Sequence, residues 1–158
     1  MKVATAKKED REANIRDDVR WSEELISAVT FPRITLYEML VQSVLRYADR
    51  PVLCFLNTFM SYKELLDAVD RFATGLDSLG LRKGDVAALV MPSCFQYVIA
   101  YYACTKIGVI VTGINPTYKP GEALHQLKIT GARTIITLDA LYEPLIAPIV
   151  TDIDIDRL

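Results

Sequence analysis

Three short apolar runs, separated by segments of helical periodicity, constrain the fold of this chain more than any other feature. The runs cover residues 86–91, 109–112 and 134–137, and none of them alternates between apolar and polar positions. An unbroken apolar run is typical of a strand that is covered on both faces. Strands that alternate with helices favour a doubly wound sheet with right-handed crossovers. We therefore predict an α/β fold, in which helices flank a mostly parallel sheet.

The helices between the strands have recognisable start signals. In a capping box, a serine or threonine and the acidic or amide residue three positions later satisfy the free backbone N–H groups at a helix start. The candidate boxes are Thr35-x-x-Glu38, Ser61-x-x-Glu64 and Ser93-x-x-Gln96. The helix predicted over residues 62–79 has the clearest periodicity, with apolar steps of four and three. Gly80 is predicted to end that helix.

Four segments follow from this pattern. Residues 1–20 are predicted to be a charged flexible arm, 21–33 an amphipathic lead-in, 34–150 the α/β domain and 151–158 a truncated tail. The other predicted elements are a helix over 36–48, a hairpin of strands 51–56 and 59–60, helices ending at 107 and 131, and a broken helix over 141–150 that contains Pro144 and Pro148.

Composition and charge exclude several classes of protein. The 158 residues include 18 lysines and arginines against 20 aspartates and glutamates, for a net charge of −2. A nucleic-acid partner is not expected, because such proteins usually carry a basic excess. No apolar run approaches the ~20 residues of a membrane-spanning helix, and the charged start has no signal-peptide core. We expect a cytoplasmic protein, with peripheral membrane association as the open alternative.

Residue chemistry alone points to no active site. The three cysteines are expected to be reduced core thiols, and the single histidine, His125, has only Glu122 near it in sequence. Gly108 and Gly113 have phosphate-loop spacing, but the lysine and hydroxyl that bind phosphate and magnesium do not follow. The aspartates of the 62–79 helix fit a solvated face. We assign no catalytic, cofactor-binding or metal residue. Ligands of such folds bind at the carboxyl ends of strands, here 91–93, 113–117 and 138–139.

Several motifs, taken in order, resemble the adenylate-forming superfamily of acyl-CoA synthetases and ligases. The quoted segments are Ser61-Tyr62-x-Glu64-Leu65, Gly80-x-x-x-Gly84-Asp85-Val86, Met91-Pro92-Ser93, Lys106-Ile107-Gly108, Asn115-Pro116-x-Tyr118-x-Pro120-Gly121-Glu122, His125-Gln126-Leu127 and Gly131-Ala132. The resemblance covers about 30–140 and is strongest to fatty acyl-CoA ligases. Ser93 stands where the family usually has asparagine, and as an N-cap it would serve the same purpose.

The resemblance implies a two-step reaction, in which MgATP converts a carboxylic acid to an acyl-adenylate and CoA then displaces AMP. ATP, Mg²⁺ and CoA are thus the cofactors and substrates implied for the parent enzyme, with a fatty acid or another carboxylic acid. The family's phosphate loop, ribose-binding aspartate and catalytic lysine have no counterpart in this chain. We expect an N-terminal fragment that is inactive alone and binds none of these ligands tightly.

Several alternatives remain open at this point. The proline–glycine–glutamate of residues 120–122 also fits ligases of aromatic acids such as coumarate. The chain could instead be a non-catalytic binding or interaction module that pairs with a separate catalytic chain, or an unrelated flavodoxin-like domain with a small ligand. A fragment of a larger sheet should expose an apolar face, through which it could form a homodimer or bind another chain.

Overall fold

The computed structural model describes residues 32–156 of the chain. The predicted arm of residues 1–20 lies outside the described residues, as do 21–31 of the lead-in and the last two residues of the tail. The long elements are helices α1 (Leu36–Tyr47), α2 (Tyr62–Ser78), α3 (Phe95–Lys106) and α4 (Pro120–Thr130), and strands β1 (Pro51–Phe55), β2 (Thr58–Ser61), β3 (Val86–Val90), β4 (Ile110–Ile114) and β5 (Thr134–Thr137).

Two of the three predicted capping boxes are present. Thr35 caps α1, since its Oγ1 accepts from the Glu38 N–H at 3.1 Å and the Glu38 carboxylate accepts from the Thr35 N–H at 2.7 Å. Ser61 caps α2 in the same reciprocal way, with Glu64. Both boxes satisfy backbone donors that would otherwise be free. The predicted starts of these helices are therefore confirmed.

The predicted box at Ser93 is wrong. The N-cap of α3 is Cys94, whose side chain makes no capping hydrogen bond, and α3 begins one residue later at Phe95. Ser93 thus lies one position too early to accept from the first turn of α3.

The central sheet contains three parallel strands in the order β4-β3-β5. Val86 to Val90 pair in register with Ile110 to Ile114 on one side, and Ala87 to Val90 pair with Thr134 to Thr137 on the other. β4 ends two residues later than predicted, so Gly113 belongs to the strand, which excludes the phosphate-loop interpretation of this segment. The parallel sheet inferred from the apolar runs is confirmed.

The two faces of this sheet carry separate cores. The α2-side core is built by α1, α2 and α3 on Ala87 of β3, and its buried members are Leu40, Leu65, Val69, Ala73, Leu76, Leu81, Ala87, Ala103, Cys104 and Val109. The α4-side core lies on Ala88 and Val90, and contains Ala88, Val90, Ile114, Ala123, Leu127, Ala132, Ile135, Leu145, Ile146 and Ile149. Successive residues of a strand point to opposite faces, so helices cover both faces, as a doubly wound fold requires.

β1 and β2 form an antiparallel hairpin outside the parallel sheet. Its turn residues, Leu56 and Asn57, have φ values of 49° and 59°, which is the left-handed pair that a two-residue hairpin turn needs. Cys54 of β1 is exposed, so the prediction of three core thiols is wrong for this residue. Cys54 pairs with exposed Phe59 on the outer face of the hairpin, while Met60 of the next pair packs on the α2-side core.

After β5 the chain forms only short helical pieces, as Pro144 and Pro148 predicted. A helical turn at Asp139–Leu141 leads into a π-helical segment at Tyr142–Ile146, and a 3₁₀ turn follows at Val150–Asp152. Leu145, Ile146 and Ile149 complete the α4-side core. Within residues 32–156, no helix is both long enough and apolar enough to cross a membrane.

Candidate ligand site at the carboxyl ends of the strands

The position of the candidate site follows from the faces of the sheet to which the chain turns after β3 and after β4. After β3 the chain enters α3, which packs in the α2-side core, whereas after β4 it enters α4, in the other core. β3 and β4 are neighbours in the sheet. Two adjacent parallel strands whose connections leave to opposite faces open a crevice at their carboxyl ends.

A cavity of about 450 Å³ occupies this crevice, hereafter the switch-point cavity. Its lining residues are Met91, Pro92, Ser93, Tyr97, Gly113, Ile114, Asn115 and Pro116. The residues expected at the carboxyl ends of β3 and β4 thus do come together. None of the eight carries a formal charge, so the cavity offers hydroxyl, amide and backbone groups rather than cations.

Gly113 sets the width of the switch-point cavity. A Cβ atom built on this glycine would lie 3.0 Å from the Tyr97 hydroxyl oxygen. That spacing is tighter than ordinary van der Waals contact, so Tyr97 would have to move aside for any larger residue. The absence of a side chain at Gly113 lets the tyrosine of α3 lie directly over the end of β4.

The loop after β4 is held by its own hydrogen bonds. The Asn115 Oδ1 atom accepts from the Thr117 N–H at 3.0 Å and from its hydroxyl at 2.9 Å, a local pattern that stabilises turns. From α4, the Gln126 amide donates to the Gly113 carbonyl at 2.8 Å. These bonds fix the rim of the cavity on the α4 side.

A second opening lies on the α2 side of the sheet and is mostly apolar. Two adjoining cavities of about 470 and 280 Å³ share Phe72, Ile136 and Thr137 in their walls, and together we name them the α2–β5 groove. The remaining lining residues are Ala68, Arg71, Gly75, Leu76, Leu79, Leu81, Met91, Gln96, Ile99, Ala100, Thr134, Ile135 and Leu138. The charged group in this wall, Arg71, pairs with Asp67 at 3.2 Å.

The polar groups beside these cavities have structural roles. Asp67 and Asp77 are exposed and pair with arginines, as expected of a solvated face. Asp70 departs from that expectation, because it accepts from the Tyr37 hydroxyl at 2.9 Å and pairs with Lys106 Nζ at 2.9 Å. Partial burial lowers the pKa of Lys106, but the bonds to Asp70 and Tyr37 outweigh it and the net shift is upward. This network joins α1, α2 and α3.

The titratable residues considered from the sequence form no reactive set. His125 and Glu122 lie on an open depression of α4, and Glu122 accepts from the Lys119 N–H at the helix start. Burial raises the pKa of the Cys104 thiol to about 11, so it is a poor nucleophile. Among residues 32–156, no three histidine, cysteine, aspartate or glutamate side chains are placed to hold a metal ion.

The sequence reasoning missed the residues that shape the switch-point cavity. Tyr97 stacks on Tyr101, with ring centroids 6.5 Å apart. Its hydroxyl nevertheless faces Gly113. A glycine one residue before the end of a strand is the signal that could have indicated this close approach.

Comparison with known proteins connects this architecture to one family. A family model described as AMP-binding enzyme matches residues 40–156. A long-chain-fatty-acid–CoA ligase of Escherichia coli O157:H7 is 41% identical over 103 residues, which cover 65% of this chain and 18% of the ligase. A 4-coumarate–CoA ligase of Pinus taeda is 38% identical over 114 residues, which cover 71% of this chain and 21% of that one. The chain thus spans about a fifth of the length of these curated relatives.

A solved structure supports the fold independently. The crystal structure of a long-chain-fatty-acid–CoA ligase from Archaeoglobus fulgidus superimposes with a TM-score of 0.75 at 23% sequence identity. The match covers 82% of this chain and 27% of that one. Since the family model matches residues 40–156, which is most of the chain, this chain belongs to the AMP-binding enzyme family.

Proposed function

We propose that the chain is the N-terminal portion of a fatty acid–CoA ligase that activates long- or medium-chain acids. Such a ligase is ATP-dependent and AMP-forming: a carboxylate attacks the α-phosphate of ATP, pyrophosphate leaves, and the thiol of CoA then displaces AMP from the acyl-adenylate. The identity of 41% to the Escherichia coli ligase supports the fatty-acid branch. A cytoplasmic location fits this proposal.

The uncharged lining of the switch-point cavity carries the second part of the proposal, that the 158 residues are inactive alone. Phosphoryl chemistry depends on cations that neutralise charge on the phosphate oxygens. The cavity wall contains no lysine or arginine, and the described residues hold no metal-binding group of three. These residues do not fit MgATP, so we derive no step through ATP or magnesium on this chain.

ATP–pyrophosphate exchange by the purified chain tests the inactivity. With octanoate, palmitate and coumarate as acids, we expect no exchange above a protein-free blank. Measurable exchange that persists through purification and disappears with the Gly113→Leu variant would contradict this part of the proposal.

A chimera tests the substrate branch. Residues 40–156 would replace the matching segment of the Escherichia coli ligase, whose unmodified form is the control. We expect the chimera to form palmitoyl-CoA in preference to coumaroyl-CoA. A folded chimera that prefers coumarate would support the alternative of an aromatic-acid ligase. The similarity to the Pinus taeda ligase is the observation that favours this alternative.

A non-catalytic interaction module is the second candidate function, and the apolar α2–β5 groove favours it. Such a module would associate through this groove with another chain or with a second copy of itself. Analytical ultracentrifugation of the chain from low to high micromolar concentration distinguishes a monomer from a homodimer.

A further inference from the structure

The end of the β1–β2 hairpin exposes three large apolar side chains, which we name the hairpin tip. Leu56 is 83% exposed, Phe59 65% and Phe55 38%. A single exposed apolar residue is common on protein surfaces, but a cluster of large ones indicates a binding surface. None of the three lines the switch-point cavity or the α2–β5 groove. The hairpin tip is therefore a separate surface.

The backbone holds Leu56 in a conformation that a branched side chain disfavours. Its φ of 49° lies in the left-handed region, where asparagine and glycine are the usual residues of a two-residue hairpin turn. The leucine gains almost no burial in return, and residues in such conformations cluster at functional sites. Turn chemistry and packing thus do not account for Leu56, whereas a role in binding does.

The hairpin carries no charge along its whole length. Residues 51–62 contain no aspartate, glutamate, lysine, arginine or histidine. The polar side chains beside the tip, Asn57 and Thr58, are neutral. A charged side chain is costly in the hydrocarbon of a bilayer, whereas the rim of a protein–protein interface is polar. An uncharged segment that ends in leucine and phenylalanine therefore fits a lipid surface better than a protein partner.

The base of the hairpin has the opposite character. The Tyr62 N–H donates to the Arg50 carbonyl at 3.1 Å and the Lys63 N–H to the Ala48 carbonyl at 3.0 Å, so two cationic residues flank the base. Tyr47 and Tyr62 meet there with ring centroids 6.2 Å apart, and the Arg50 guanidinium lies 5.6 Å from the centre of the Tyr47 ring. Tyrosines and long cationic side chains are enriched where a membrane meets water.

The charges around the base leave a small cationic excess. Arg46, Arg50 and Lys63 adjoin it in sequence, against Asp49 and Glu64. The Glu64 carboxylate is already held in the cap of α2. An excess of one positive charge is compatible with neutral and with anionic headgroups, so the apolar tip has to supply most of the binding.

The length of β1 matches the layers of a bilayer surface. Five residue steps separate Pro51 from Leu56, which corresponds to about 16 Å. Interfacial segments bury their apolar side about 5–10 Å into the boundary of the acyl chains, and the headgroup layer above it is about 5–8 Å thick. A tip seated about 10 Å deep thus leaves the tyrosines and cations of the base among the headgroups.

We propose that the hairpin tip is a membrane wedge, which inserts Phe55, Leu56 and Phe59 into one leaflet of a lipid bilayer. The occupant of this surface is the lipid of that leaflet, with the base of the hairpin at the headgroups. The wedge enters a single leaflet and does not span the bilayer. The proposal is independent of the ligase chemistry, because it uses no residue of the switch-point cavity.

Co-sedimentation of the full chain with phosphatidylcholine vesicles, prepared with and without phosphatidylglycerol, tests the wedge. The test variant combines Leu56→Asn with Phe59→Thr. Asparagine suits the left-handed turn and threonine suits a strand, so the hairpin should still form. We expect the chain to bind both kinds of vesicle, and the double variant to lose at least about tenfold in partition coefficient.

The matched control combines Leu45→Gln with Ile129→Gln. These side chains are 82% and 71% exposed and lie on α1 and α4, away from the hairpin. We expect the control to bind within about twofold of the unmodified chain, as suits surface substitutions. Circular dichroism and urea unfolding establish that both double variants fold.

A fluorescent label reports the depth of the tip. Cys54 is exposed, whereas Cys94 and Cys104 are buried, so a nitrobenzoxadiazole maleimide should attach selectively to Cys54 in the native protein. With vesicles, we expect its emission to shift to shorter wavelength and nitroxide groups on the lipid acyl chains to quench it. The Leu56→Asn/Phe59→Thr protein should show neither effect.

Three results would overturn the proposal. Failure of the unmodified chain to bind either kind of vesicle would show that no wedge exists. Equal binding by the tip variant and the control would show that another part of the chain contacts the lipid. Self-association in analytical ultracentrifugation without vesicles, abolished by the tip variant, would show that a second copy covers the tip.

Discussion

The β1–β2 hairpin and the β3–β4–β5 sheet consist of strands of similar length in different surroundings. In β3, residues 87–90 are fully buried, because helices cover both faces and strands cover both edges. In the hairpin, Leu56 is 83% and Phe59 65% exposed. Apolar character therefore indicates burial in the central strand β3 and fails to do so in the hairpin.

The physical difference is the number of covered faces. The hairpin contacts the α2-side core through Val52, Leu53 and Met60 on its inner side, and Cys54 and Phe59 remain on the outside. A strand that is covered on one face should contribute less free energy per apolar residue than one covered on both. Five experiments test that comparison.

Thiol reactivity should show the largest contrast. Burial raises the pKa of Cys104 to about 11, so at pH 8 only about one molecule in a thousand carries its thiolate. We expect iodoacetamide to modify exposed Cys54 at least about a hundredfold faster than Cys104, as followed by peptide mass spectrometry. In urea all three cysteines should react at similar rates. Similar rates in the native state would mean that the sheet layer opens as readily as the hairpin.

Truncation of a core leucine is the next largest effect. Leu89→Ala in β3 should lower the free energy of unfolding by about 3 kcal/mol, because it leaves a cavity in a fully packed layer. Leu56→Ala in the hairpin turn, the matched control, should change it by less than about 0.5 kcal/mol. Urea unfolding measures both variants, and equal losses would contradict the comparison.

Removal of a helix cap follows in size. Ser61→Ala should cost about 1 kcal/mol, because the N-cap of α2 loses the bond to the Glu64 N–H. Ser93→Ala should cost less than about 0.5 kcal/mol, since Cys94 holds the N-cap position of α3. A larger loss of unfolding free energy for Ser93→Ala than for Ser61→Ala would support Ser93 as the N-cap of α3, as the sequence predicts.

The hairpin turn offers a smaller effect of opposite sign. Leu56 occupies the left-handed region at φ 49°, which costs a branched residue about 1–2 kcal/mol. Glycine relieves this cost but loses more conformational entropy on folding. We expect Leu56→Gly to raise the free energy of unfolding by about 0.5 kcal/mol, with Thr58→Gly in β2 as a destabilising control. A loss of stability at Leu56 would show that its side chain contributes to packing.

The smallest effect concerns pH. The Ser61 backbone N–H and then its hydroxyl bond to Glu64 and lower the pKa of this carboxyl below its usual 4.5. A lowered pKa in the folded state means that the stabilisation is present at neutral pH and is lost as the pH falls through the folded value. The urea concentration at the unfolding midpoint should therefore decrease as the pH is lowered below 4.5. The decrease should be smaller for the Glu64→Gln variant. Identical pH profiles would exclude a contribution from this carboxylate.

Most of the fold could be predicted because local signals agreed with the global arrangement. The capping boxes at Thr35 and Ser61 each combine a cap with an amphipathic helix, and the apolar runs have the continuity that parallel strands need. The bounds of α4 were predicted in the same way, from Pro120 in its first turn and from Gly131 at its end, whose φ is 65°. In each case one short segment contains the whole physical cause.

The wrong predictions concern residues whose environment is set by contacts with distant parts of the chain. Cys54 and Cys94 sit in equally apolar surroundings in the sequence, and only the sides they take in the fold separate them. Ser93 has the correct spacing to Gln96 but precedes the helix by one residue too many. The location of the candidate site was predicted from the carboxyl ends of the strands, whereas its shape depends on Tyr97 and Gly113, which meet only through the packing of α3 on the sheet.

The bare backbone at Gly113 has a consequence for how this family member can vary. A side chain there would press on the Tyr97 hydroxyl, which lies 3.0 Å from a Cβ atom built at Gly113, so we expect a large residue at 113 to be tolerated best together with a smaller residue at 97. An apolar side chain at position 113 combined with a smaller residue at 97 would replace the tyrosine hydroxyl in the switch-point cavity with hydrocarbon. One compensated exchange at these two lining positions should therefore change the size and polarity of the switch-point cavity.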